Sequence, residues 1–325
     1  MLPSNKYPTG SSTASVVAAR CLIAGLIPLV LAGCEAPLNL SGVEQEQNKS
    51  LRRTDQLQAL VANDQVQVAV GNNGLVLTRK LGEQNWQRQV LPGEPGLIDL
   101  DACADNTLIA LSFEKQLWRS DDNGASWQAF DLNTPENMLD LTCAPDGTYW
   151  AVGSFSTFLS STDQGESWNE VSLNEDAMLT SIQFLNEQLG YAAGEFGTLT
   201  RTTDGGANWA VLAPMRDEFY PQTTLFTDAE TGWSVGLDGT VLHTTDGGDS
   251  WTLSPTPVAA PLYGLFETRG DLYALGENAT VLKRSGDQWT SVPVKARPVY
   301  LRAGLATEQG ALVAGGNGTL LSLTL

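Results

Sequence analysis

Gly190-Tyr-Ala-Ala-Gly194-Glu-Phe-Gly197-Thr-Leu-Thr-Arg-Thr202-Thr-Asp204-Gly-Gly206-Ala-Asn-Trp209 is the stretch whose reading decides the fold of this chain. A short apolar run ends at Gly194. The Gly-x-x-Gly197 pair then turns the chain, because glycine reaches positive φ at no steric cost. Thr198 to Thr202 read as the next strand, Thr-Asp-Gly-Gly as a tight turn, and Trp209 as the opening of another strand. With Leu179-Thr-Ser-Ile182-Gln-Phe184 ahead of it, the unit holds four short strands. Apolar spacing of three and four, which a helical repeat needs, is missing.

The unit recurs. Trp stands at 86, 127, 168, 209, 251 and 289, with gaps of 41, 41, 41, 42 and 38 residues. The apolar run ending in glycine recurs at Gly71, Gly153, Gly194, Gly236, Gly276 and Gly315, with Ser112 in the same slot. A period near 40 marks one supersecondary unit that buries its faces against its neighbours. Seven copies of four short antiparallel strands predict an all-β, seven-bladed β-propeller over residues 55–325.

The turn before the fourth strand carries Ser/Thr-x-Asp-x-Gly-x-x-Trp four times, with Asp122 and Trp127, Asp163 and Trp168, Asp204 and Trp209, and Asp246 and Trp251. An Asp carboxylate there accepts bonds from the backbone of its own turn, and the Trp buries a large aromatic area between sheets. These runs resemble the Asp-box repeat of sialidases and related propellers. In that family the box is a folding device, so these acids are read as structural. The copies ending at Trp86 and Trp289 are degenerate.

The last unit stops after its third strand at Leu320-Leu-Ser-Leu-Thr-Leu325. An unpaired edge invites a donor strand, and Ala36–Gly42, or a nearby piece of residues 36–56, is expected to supply it. Upstream, Lys6 and Arg20 precede an apolar core from Cys21 to Leu31, and no acid occurs before Glu35. That pattern reads as an export signal over residues 1–33. Leu31-Ala-Gly-Cys34 resembles a bacterial lipobox, which makes Cys34 the lipidated first residue of a tether over residues 34–54. Anchoring on the exported side of a membrane follows. Glu35 after the cysteine, in place of Asp, leans towards the outer membrane.

From Cys34 onward the chain has 16 basic and 37 acidic residues, a net charge of −21. Such a surface repels nucleic acid and favours cationic partners. Cys103 and Cys143 lie at matching points of the first strands of units two and three. Export permits a bridge between them, but its geometry is demanding, and two buried thiols are the expected state.

Little chemistry is visible. The chain has one histidine, His243, at the end of a third strand, where other units carry Thr78, Arg119, Ser160, Arg201, Lys283 and Ser322. That variety reads as an exposed strand end. No second histidine offers a zinc set, and no Gly-x-Ser-x-Gly elbow occurs. No catalytic residue, metal site or cofactor is expected. The spacing between units is nearly constant, so no long loop builds a dedicated pocket.

The combined pattern in Gly190–Trp209 and Gly232–Trp251 is similar to that of the photosystem II stability/assembly factor family of seven-bladed Asp-box propellers. The resemblance covers about residues 55–325. It implies a non-catalytic scaffold that binds another membrane or envelope protein, with monomeric propellers and no cofactor. The photosynthetic members carry an arginine-rich face, whereas the basic residues here are scattered. A glycan-binding or glycoside-hydrolase-like propeller is the alternative. The expected partner-binding residues are Arg216, Phe219 and Tyr220 in one interblade connection, together with Arg297 and Arg302.

Overall fold

The computed structural model describes residues 39–216 and 218–324. Seven antiparallel sheets follow one another along the chain, six of four strands and the last of three. Each sheet runs from an inner first strand to an outer last one. The inner strands are Leu57–Ala62, Leu97–Ala102, Met138–Cys143, Leu179–Phe184, Pro221–Phe226, Leu262–Thr268 and Leu301–Thr307. The second strands are buried along nearly their whole length, since both of their faces pack against neighbouring blades. The fold is the seven-bladed propeller that the repeat predicts.

All seven inner strands carry a register shift at their start, between Leu57 and Ala59 in blade 1 and at the equivalent place in every other blade. This bulge explains the recurring glycine. Gly194 has an extended backbone (φ −169°), so it is not selected for positive φ. A Cβ on it would lie 2.1 Å from the Met178 carbonyl oxygen, and one on Gly153 would lie 1.9 Å from that of Asn137. Close backbone approach at the bulge therefore demands the first glycine, and only the second, such as Gly197 at φ +72°, supplies the left-handed turn.

The Asp boxes pack each blade onto the one before it. Gly165 sits against Leu117, Gly206 against Trp150 and Gly248 against Leu199. Trp209 stacks on Phe158 (4.4 Å between centroids) and meets Trp150 and Phe184 edge-on. Trp127, Trp168 and Trp251 fill the matching interblade clusters.

Ring closure departs from expectation. Among the described residues no fourth strand pairs with Thr319–Thr324, the outer strand of blade 7. Of the expected donor Ala36–Gly42, residues 36–38 lie outside the described residues. Ser41 and Gly42 begin a helix, Ser41–Gln47. Ser41-Gly-Val-Glu44 is an S-x-x-E start followed by Glu and Gln, a composition that favours helix over strand. Blades 1 and 7 are joined instead through a buried acid. Asp55, 3% exposed, accepts two bonds from Arg88 (2.8 and 3.1 Å) and one from the Arg52 N–H, while its carbonyl accepts from the Gly318 N–H.

Candidate functional site

The seven bulges aim one side chain each at one mouth of the central channel: Gln58, Ile98, Leu139, Thr180, Gln222, Tyr263 and Arg302. All of them but Tyr263 join Phe113 and Tyr220 around a depression of about 250 Å³. Below it the channel continues as a space of about 270 Å³ between the inner strands. Two carboxylates lie there. Asp99 accepts from the Leu141 N–H at 2.8 Å, and Asp140 from the Ile182 N–H at 2.6 Å. Each acid thus latches its own inner strand to that of the next blade.

Asp99 and Asp140 also hydrogen-bond to one another, and burial pushes the Asp99 carboxyl up to about 6. Asp140 is raised well above the ordinary carboxylate range by burial and by Asp99, with Arg302 opposing. The pair therefore shares a proton near neutrality. Two carboxyls in direct contact are closer than the roughly 5 Å that glycoside hydrolysis needs. Their backbone bonds leave them a structural task.

Further from the mouth, Asp101 accepts from the Cys143 N–H and the Thr142 hydroxyl, and Cys103 is bonded to Cys143 with Cα atoms 5.2 Å apart. The expectation of two free thiols is corrected. Equivalent ends of adjacent inner strands converge, and the Asp101 latch brings the two cysteines within bridging range.

The four complete Asp boxes are local networks. Asp163 accepts from Ser161, from the Ser167 N–H and from the Ser167 hydroxyl, and these bonds hold its carboxyl down at about 2. Asp246 is held at about 2 by the matching bonds, and Asp122 and Asp204 are lowered in the same way. All four acids are occupied by their own turns.

The expected partner-binding residues divide. Phe219 is 6% exposed and packs in the core with Tyr191 and Phe226, so it cannot face a partner. The tight connection folds its ring inward against Gly236. Tyr220 lies half-buried at the channel mouth, where its hydroxyl donates to Glu195 (2.8 Å); burial and that acid push it up to about 12. Arg216, Arg297 and Arg302 are exposed. Arg302 joins Tyr220 at the mouth, whereas Arg297 lies with Arg53 in a separate cleft of about 460 Å³ beside the edge of blade 7. His243 is not an open strand end. It stacks face-to-face on Trp233 (3.7 Å), and burial, followed by Arg284, lowers its pKa.

The exposed apolar residues of the same face escaped sequence reasoning. Phe113, Phe155, Phe196 and Leu237 are 67, 54, 62 and 46% exposed. All four lie in the turns between the second and third strands of the consecutive blades 2 to 5. Aligning the seven copies at those turns carries the signal: Phe155 and Phe196 share a slot with Asn73, Asn278 and Asn317, and Phe113 and Leu237 stand one position ahead of it in blades 2 and 5.

Geometry defines this chain as a seven-bladed Asp-box propeller whose channel mouth is rimmed by the turns between second and third strands. A family model described as photosynthesis system II assembly factor YCF48 matches residues 160–262, a span with three of the four complete boxes. Over that third of the chain the sequence is similar to that family. Among solved structures, YCF48 bound to a D1 peptide superposes with TM-score 0.69 at 15% identity, over 83% of this chain and 92% of that one. YCF48 from Cyanidioschyzon merolae gives 0.69 at 16%, over 83% and 96%. A catalytically inactive virginiamycin B lyase from Staphylococcus aureus with quinupristin gives 0.73 at 13%, over 82% and 94%. At these identities the likeness shows the fold. No curated protein matches.

Proposed function

We propose that this protein is a non-catalytic, exported lipoprotein that binds another membrane or envelope protein through the channel-mouth face of its propeller. The observation that carries this reading is the family-model match to an assembly factor over residues 160–262. The solved YCF48 with a D1 peptide gives it a precedent in a propeller of the same fold. Asp99 and Asp140 in the channel and the Asp-box acids are tied to backbone N–H groups or to their own turns. Although a lyase shares the fold, the sole histidine here is stacked on Trp233.

Lipidation of Cys34 would hold the propeller at the membrane as a monomer, on the outer-membrane side. The Cys103–Cys143 bridge supports an oxidising, exported compartment. No helix among the described residues is long and apolar enough to cross a membrane. The test is crosslinked affinity purification of the full-length protein from its own envelope, with mass spectrometry of partners and of the Cys34 peptide. A reproducible membrane-protein partner and an acylated Cys34 are expected. Recovery of polysaccharide only would replace the reading with glycan binding.

A further inference from the structure

Resting on that protein-binding reading, the geometry points to the occupant of one face: we infer that the rim of blades 2 to 5 docks an extended partner segment that is both apolar and cationic. Four large apolar side chains stand out from consecutive blades there, each about half or more exposed. Scattered exposed apolar residues need no explanation, but large apolar side chains repeated at the same turn of four consecutive blades on one face mark an interaction surface. Two of the four are held at unfavourable backbone angles. Phe155 has φ +54° and Phe196 φ +59°, left-handed values that bulky residues seldom adopt. The same slot holds Asn73, Asn278 and Asn317 elsewhere, the residue that suits the conformation. Nothing in folding asks for phenylalanine at these two sites.

The crescent adjoins the depression at the channel mouth, where Phe113, Ile98, Leu139 and Tyr220 offer an apolar socket for one anchoring side chain. The charge around it selects the partner. Turns and interblade connections of the same sector carry Glu136, Glu175, Asp176, Glu218 and Asp238. Against them stand Lys115, whose amine is engaged by the Pro135 carbonyl, Arg216, and Arg302 at the blade 7 side of the depression. A segment alternating Lys or Arg with Leu or Phe would seat its apolar side chains on the crescent and its cations on the acids, and association would weaken with salt. An acidic segment or an anionic lipid surface would be repelled.

The test uses two labelled ten-residue peptides, one alternating lysine with leucine and phenylalanine, the other with glutamate in place of lysine. Fluorescence anisotropy is read on the full-length protein and on Phe155→Asn/Phe196→Asn, with Leu253→Ser as a control on an outer strand. The double variant keeps the fold, since Asn already occupies this slot in three blades. Its affinity for the cationic peptide should fall by about tenfold or more, and Leu253→Ser should change nothing. Equal binding by wild type and the double variant, or preference for the glutamate peptide or for phosphatidylglycerol vesicles, would overturn the inference. The two readings separate cleanly. A membrane-protein partner that co-purifies equally with wild type and the double variant removes the crescent but leaves protein binding intact. Cationic-peptide binding lost in the variant, with no protein recovered from the envelope, does the reverse.

Discussion

Replacing Asp99 with Asn should make the protein more stable at neutral pH and leave it nearly unchanged in mild acid. In the folded state the Asp99 carboxyl titrates at about 6, against 3.8 for a free aspartate side chain. At about 1.4 kcal/mol per unit, holding it ionised at neutral pH costs up to about 3 kcal/mol. Water in the channel screens the pair, so about 1–3 kcal/mol is the working range. The sign follows from proton counting. Between about pH 4 and 6 the folded pair keeps a proton that the unfolded chain has released, so stability is lost as pH rises through that window. The amide introduced by Asp99→Asn retains an oxygen to accept from the Leu141 N–H and places an N–H where it can donate to Asp140. One buried carboxylate then remains, without a like-charged neighbour. The assay is urea unfolding of both proteins at about pH 4.5 and about pH 7.5. The general repulsion of the acidic surface is common to both and cancels in the difference. The variant should gain about 1–3 kcal/mol at the higher pH and far less at the lower. The same difference at both pH values would refute the shared proton.

The remaining predictions concern the joints between blades. Trp209→Ala removes the aromatic wedge between blades 3 and 4 and should cost about 3 kcal/mol or more in urea unfolding. Cys103→Ala/Cys143→Ala opens a bridge of sequence separation 40 and should lower stability by about 2–4 kcal/mol, with the reduced wild type melting alongside the variant. Asp163→Asn should lower the melting temperature at neutral pH but not near pH 2. Its depressed pKa gives stability that is present above the unfolded value of 3.8 and is lost as pH falls to about 2. Phe155→Asn should melt no lower than wild type, because Asn relieves the left-handed backbone; a clear fall would mean that the ring is a folding element after all.

The sequence by itself determined the architecture. A 41-residue step in Trp, a glycine in register ahead of it and four Asp boxes admit only a repeated four-stranded unit, because period and turn chemistry are local properties. Residues close in the chain also build the box networks, so their structural role was legible from spacing. What tertiary structure decided lies between blades. The Cys103–Cys143 bridge, the Asp99–Asp140 latch and the Asp55 clasp join residues about 30 to 40 positions apart, or opposite ends of the chain, and no local pattern announces them. The recurring glycine was readable as a signal but not for its reason, since the bulge that crowds it forms only when inner strands assemble. Phe219 looked like an anchor in the chain and is core in the fold, while Phe155 and Phe196, to which the sequence reading gave no role, stand exposed. Composition fixes how much apolar surface a chain has, and only packing fixes which part of it water still sees.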